Sequence, residues 1–312
     1  MLWYVLVEEM TKVRSIFGTN FSKIVFASYL VFVPPTSLYH MFLEPNLAEA
    51  VKVGGSLLSL FISVPTVLVF LVIVVSLEVA ARAHGGRGLF GWLRLLPWRN
   101  PAMSAIGMAV VNLAIGGALA FVLIQEKFAA MISDTFFIPA YFHFLTVGTV
   151  TLTMVAALLY VIPGLTNRPV WRPSVLARLP YVATLGLVLF GGAGAAAGLM
   201  GAPRRVFDVT YQGGAPAAWG TLMAIVGVGA AIMASALAIY VYGLARMLVG
   251  PSRAARPLAT EFVSVAWGDS AAGGAAWTGL IAVAALLVAT FGLTVMAFEL
   301  LEGLPILGAG GH

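Results

Sequence analysis

The sequence contains no cysteine, which excludes disulfides, thiolate zinc sites and iron-sulfur ligation within this chain. It is also poor in charge: Asp, Glu, Lys and Arg make up 9% of the residues, against 61% hydrophobic, so a water-soluble fold would lack the polar surface to cover itself. There is no basic patch with interleaved aromatics, which argues against a nucleic-acid partner. A Ser-His-acid set, a His-Glu-x-x-His motif and paired intramembrane carboxylates are all missing, so hydrolytic chemistry has no support. No cleavable signal pattern opens the chain, because Glu8 and Glu9 follow the first apolar residues directly. Any metal must be held by histidine, by oxygen ligands or by a porphyrin.

What is present is a series of long apolar runs. An all-α polytopic membrane bundle is expected, with spans at roughly 22–43, 54–78, 101–124, 135–162, 179–201, 216–246 and 276–301. Residues 2–7 are apolar but too few to cross a bilayer, and read as the tail of a helix whose beginning is missing. The chain is thus expected to be one membrane domain over 1–312, with a partial helix and cytoplasmic segment (1–21), a seven-helix bundle (22–302) and an outer-face tail (303–312). Loop charge gives the orientation. Segments 1–23, 78–100, 164–178 and 246–275 hold 13 of the 17 Lys and Arg residues, which places them and the amino terminus on the cytoplasmic side of a plasma or inner membrane.

One run carries the oddest residue. His143 lies near the start of the apolar stretch 135–162, and an ionisable group inside a membrane helix needs a partner or a function. Imidazole is a common metal and heme-iron ligand; the alternative is a packed histidine bonded to a carbonyl. Arg204 and Arg205 run against the prevailing charge bias, just outside the next span. They read as a clamp for carboxylates such as heme propionates, or else as an interfacial anchor or a pair with Asp208, Glu299 or Glu302. A heme with iron on His143 and propionates on the arginines would account for both oddities.

Other candidates are weaker. His40, beside Tyr39 and after Pro34-Pro35, is a metal ligand, an axial ligand or an interfacial histidine; His84 lies in a Gly- and Arg-rich loop and His312 is the last residue. Ser56, Ser59, Ser63 and Thr66 share one helix face, either as a polar path for protons or as packing hydroxyls bonded back to the preceding turn. The glycines of 191–198 have the small-xxx-small spacing of closely packed membrane helices.

Ser76-Leu77-Glu78-Val79-Ala80-Ala81-Arg82, Gly85-Gly86-Arg87-Gly88-Leu89-Phe90-Gly91-Trp92, Leu96-Pro97-Trp98, Asn100-Pro101-Ala102, Tyr141-Phe142-His143, Thr149-Val150-Thr151-Leu152-Thr153, Ile162-Pro163-Gly164-Leu165-Thr166 and Pro203-Arg204-Arg205 closely resemble subunit I of the B-family heme-copper oxidases. The resemblance is collinear over nearly the whole chain and covers the second half of that subunit, from the end of its sixth helix to its thirteenth. It implies that His143 is the low-spin heme ligand and that Arg204 and Arg205 hold propionates. It also implies that Tyr141 replaces the high-spin heme ligand, and that Tyr39-His40 stands where two adjacent copper histidines are found, so His40 is a remnant copper-ligand position.

The expected function is therefore that of an electron-transfer subunit of a respiratory complex holding a low-spin heme b. Its second axial ligand would come from another chain equivalent to the absent N-terminal half, and copper is not expected. Electrons would pass between a quinol or cytochrome and a partner, with other membrane subunits and a cytochrome or cupredoxin-type redox subunit as company. The alternatives are a heme-free scaffold or membrane anchor, and the C-terminal half of a functional split terminal oxidase, in which a partner chain completes the copper and high-spin heme site.

Overall fold

In the computed structural model, the described residues are 2–12, 18–32, 46, 48–123, 126–206, 208 and 210–249. Their regular elements are helices throughout: α1 (Leu2–Thr11), α2 (Gly18–Phe32), α3 (Glu49–Ala83), α4 (Pro101–Leu123), α5 (Glu126–Ile132), α6 (Phe137–His143), a π-helix (Phe144–Thr151), α7 (Leu152–Thr166), α8 (Pro173–Leu176), α9 (Leu179–Leu199) and α10 (Ala217–Val249). Among the described residues, five helical stretches are long and apolar enough to cross a membrane: 61–83, 101–123, 137–166, 173–199 and 217–249. They match the expected second to sixth spans. The first expected span is helical as far as Phe32, and its remainder, together with the seventh span at 276–301 and Tyr39, His40 and His312, lies outside the described residues.

Two boundaries differ from the sequence expectation for physical reasons. The expected second span ends at 78, at a carboxylate, the kind of residue that usually marks the water boundary. Instead α3 runs on to Ala83, with Glu78 fully buried and its Oε1 2.7 Å from Arg82 Nε one turn later. The ion pair removes the reason to stop, and Arg82 Nη2 also donates to the Gly88 carbonyl at 3.1 Å. The fourth span is not one uniform α-helix, because eight residues following His143 are π-helical.

This interrupted helix, α6–π–α7, is the centre of the bundle. It packs against α4 along its whole length, α9 lies against α6 and the π segment, and α10 backs α9 and α7. α1 closes another side by burying Trp3, Leu6, Val7 and Met10, and the Trp3 indole donates to Thr153 Oγ1 at 2.6 Å. Asn112 on α4 and Thr184 on α9 are joined by a 2.9 Å hydrogen bond in the same core.

Lipid tails are as apolar as leucine, so close approach of helices rather than hydrophobic contrast holds such a bundle. The glycines of 191–198 supply it. A Cβ on Gly191 would strike the Phe144 ring, and one on Gly198 would strike the backbone of Phe137, whereas Gly192 faces open space. At the next interface, a Cβ on Gly186 would lie 2.7 Å from the Gly229 carbonyl of α10. Gly198→Ala is therefore expected to destabilise the fold by roughly 1–3 kcal/mol, the usual range for overpacking, while Gly192→Ala leaves it unchanged. Thermal unfolding of both variants in detergent, followed by tryptophan fluorescence, checks the difference.

Candidate functional site

His143 closes α6, and its Nδ1 lies 2.7 Å from the carbonyl oxygen of Pro139 one turn earlier. A carbonyl can only accept, so this contact puts the ring proton on Nδ1 and leaves the lone pair on Nε2. The ring is half-buried, and its second restraint is Phe190 of α9, whose centroid is 4.5 Å away at a 42° tilt. Orientation and tautomer are thus both set before any ligand arrives. That is the arrangement in which an outer hydrogen bond prepares an imidazole to bind a metal.

The two arginines reach this helix through a short piece of strand-like pairing. Thr135 and Pro203 form an isolated antiparallel bridge, Phe136 N donates to Ala202 O at 2.7 Å, and Arg204 N donates to Asp134 O at 3.2 Å. The loop after α9 is thereby tied to the entrance of α6. Phe136 precedes His143 by seven residues, so the arginines enter about 10 Å above the histidine along the helix axis. Arg204 Nη2 donates to Asp134 Oδ1 at 3.0 Å, while its Nε is buried and has no hydrogen-bond partner. Arg205 is exposed.

The acid that pairs with Arg204 is therefore Asp134, not the Asp208 considered from sequence. Asp208 is occupied locally: its carboxylate accepts from the Thr210 hydroxyl at 2.6 Å, the Thr210 amide at 2.8 Å and the Gln212 amide at 3.1 Å. These bonds, led by the Thr210 hydroxyl, hold its pKa below the ordinary carboxylate value. Glu299 and Glu302 lie outside the described residues.

Tyr141 is two residues from His143 and so points to a different side of α6. It is buried in an apolar cluster with Val122, Leu123, Phe128, Ile132 and Phe137, where α4, α5 and α6 meet. His84, at the far end of α3, turns its Nδ1 to the Ala80 carbonyl at 2.8 Å. Among the described residues no three or more His, Cys, Asp or Glu side chains gather in a way that could hold a metal ion. On the hydroxyl-bearing face of α3, Thr66 donates to the Ile62 carbonyl at 3.0 Å and accepts from Tyr29 of α2 at 2.9 Å. Ser63 is half-buried, and the side chains of Ser56 and Ser59 lie outside the described part.

The π segment, invisible to hydropathy, bears on the site because it fixes how His143 is followed. Within it, Thr149 and Thr151 donate to carbonyls five residues back, Phe144 and Thr146, at 3.0 Å each. Thr146 near its start and Thr153 beyond it reach back only four, to Phe142 and Thr149. The hydroxyls thus follow the widened turn. Such insertions are rare and concentrate at functional sites. Gly148 is pressed on fully buried Asn112 of α4, where a Cβ would lie 2.6 Å from the Asn112 Cβ and Cγ. The sequence signal for this contact was the single asparagine inside the apolar run 101–124. Gly148→Ala should destabilise the protein, and adding Asn112→Ala, which removes the obstructing Cγ and amide, should restore part of the loss. A double-mutant cycle on unfolding free energies is expected to show a coupling of about 1–2 kcal/mol.

Comparison with known proteins follows this geometry. The model of the family described as cytochrome C and quinol oxidase polypeptide I matches residues 1–232. Cytochrome c oxidase subunit 1 of Thermus thermophilus is 31% identical over 239 residues, which is 74% of this chain and 42% of the relative. The subunit 1 of Alkalihalophilus pseudofirmus is 31% identical over 134 residues, 41% of this chain and 21% of the relative. Among solved structures, a chain of a heme-copper terminal oxidase dimer superposes with a TM-score of 0.69 at 22% identity, over 88% of this chain and 49% of that one. The chain thus spans less than half the length of these relatives.

Proposed function

Since this chain belongs to the cytochrome c and quinol oxidase polypeptide I family, a family of membrane subunits that normally bind heme, we propose that it is a membrane electron-transfer subunit in which His143 ligates one low-spin b-type heme. The observation that carries the proposal is the Nδ1 contact to Pro139, which leaves the Nε2 lone pair available and the ring immobilised by Phe190. The residues present fit the group on two counts. A neutral imidazole with an outer acceptor is the donor that heme iron takes from a histidine, and the unpaired buried Nε of Arg204 calls for an anionic oxygen such as a propionate carboxylate.

When bound, the heme supplies a one-electron carrier. The chain's own residues do the positioning. Pro139 raises the basicity of the imidazole by accepting its Nδ1 proton in a hydrogen bond. Arg204 is held at the mouth of α6 by Asp134 and, with Arg205, offsets propionate charge. Those cations favour the reduced, less positive iron and raise its potential. A second iron ligand would come from outside the described residues, from the part of the family's subunit that this sequence does not span: His84, the other described histidine, is at the far end of the bundle. In this reading the amino terminus and the arginine-rich ends of α3, α7 and α10 face the cytoplasm, and the arginine pair faces outward.

Tyr141 supports one heme ligand on this helix rather than two. It stands two residues from His143, and its ring is packed among apolar side chains of α4 and α5. The split-oxidase alternative, in which a partner completes an oxygen-reducing centre, predicts a ferrous iron that binds carbon monoxide.

His143→Ala should abolish the reduced-minus-oxidised b-type band of the purified complex, and the wild-type band should be insensitive to carbon monoxide. A spectrum unchanged by the substitution would overturn the assignment, and a carbon monoxide shift of the wild-type complex that persists in His143→Ala would favour the split oxidase. Arg204→Gln should lower the midpoint potential, read by redox titration, on the order of 30 mV, equivalent to about 0.7 kcal/mol for one electron.

A further inference from the structure

The arginine-rich end of α7, α9 and α10 carries a group of side chains that the heme reading leaves without a role. Past the end of α7 the chain turns through two left-handed residues, Asn167 (φ 51°) and Arg172 (φ 38°), before entering α8. Between them, Trp171 lies edge-on against Tyr242 of α10, with ring centroids 5.3 Å apart at 84°. The Arg172 guanidinium stands 5.5 Å from the Trp171 ring centroid. Arg246 follows Tyr242 by one helical turn, so it projects from the same face of α10, and it is exposed. Arg168 Nη1 donates to the carbonyl of Leu248 in the last turn of α10, while Arg168 Nε is buried and has no partner.

Three arginines thus gather near an edge-on pair of aromatic side chains at the membrane boundary, and among the described residues no carboxylate pairs with them. From 135 to 249 the sequence contains one acidic residue, Asp208, and it lies at the opposite end of the bundle. The carboxylates on neighbouring elements have partners of their own: Glu9 pairs with Lys12 at 2.8 Å and Glu78 with Arg82. Like charges gathered without an acid repel, and a buried guanidinium N–H without an acceptor is costly. Both costs are relieved by a ligand that brings several anionic oxygens.

We propose that Arg168, Arg172 and Arg246, with Trp171 and Tyr242, form a binding site for the phosphate headgroup of an anionic phospholipid. The depth suits it. Arg168 is two residues past the apolar stretch ending at Thr166, and Arg246 is in the last turn of α10. Tryptophan and tyrosine prefer this headgroup level, where their rings face acyl chains and their polar edges face water. The planar guanidinium suits phosphate oxygens, and basic pockets between membrane helices commonly take such headgroups. The proposal depends on membrane insertion alone and stands or falls separately from the heme at His143.

The test is native mass spectrometry and thermal unfolding of the purified complex, delipidated and then given phosphatidylglycerol, phosphatidylcholine of the same acyl chains, or inorganic phosphate alone. Phosphatidylglycerol should be retained and should stabilise the complex, whereas phosphatidylcholine should not. Arg172→Gln and Arg246→Gln alter exposed side chains, and each should weaken phosphatidylglycerol binding about fivefold, the worth of one basic group at an anionic surface. Arg94→Gln, an exposed arginine outside the group, should leave binding unchanged. Equal retention of both lipids, or binding indifferent to both substitutions, would overturn the proposal. Stabilisation by inorganic phosphate equal to that by phosphatidylglycerol would assign the site to a soluble anion instead.

Discussion

Within a bilayer an apolar side chain gains nothing by exchanging lipid for a neighbouring helix, so the bundle depends on how closely backbones can approach. Here that approach is concentrated on one helix. α9 comes down on α6 through Gly191 and Gly198, and α4 meets the π segment through Asn112 and Gly148. Clamped from both sides, α6–π–α7 cannot rotate or slide without a steric clash. The candidate ligand sits between the two clamps, just before the helix widens.

The same contact explains why His143 is a better-defined group than a lone histidine in an apolar run would suggest. Close approach of α9 brings Phe190 onto the imidazole face, and the α-helical turn before it places the Pro139 carbonyl within reach of Nδ1. One restraint fixes the plane of the ring and the other fixes which nitrogen is basic. The arginine pair is positioned by a different device, the backbone pairing of 134–136 with 202–204, which joins the loop after α9 to the entrance of α6. Ligand and cations are thus tied to the same two helices, so a displacement of α9 would disturb both together.

The five membrane spans among the described residues could be read from sequence because hydropathy over some twenty residues reports directly on the bilayer's thickness. The small-residue spacing at 191–198 likewise announced a tight interface. α3 runs a turn beyond the expected span because Arg82, one turn after Glu78, neutralises that carboxylate within the same helix. Asp134 was overlooked as the partner of Arg204 because the two are separated by 70 residues and meet only through the pairing of their loops.

By itself, then, the sequence determined a membrane bundle, the approximate positions of its helices, the asymmetry of its loop charges and the few residues chemically able to bind heme. These follow from composition and short-range periodicity, which any window of the chain carries. The tautomer of His143, its aromatic neighbour, the π-helical turn behind it, the acid beneath Arg204 and the gathering of Arg168, Arg172 and Arg246 around two rings were decided only by tertiary structure. Each depends on a contact between elements distant in sequence or on the turn geometry of a helix, and neither is encoded by residue type at one position.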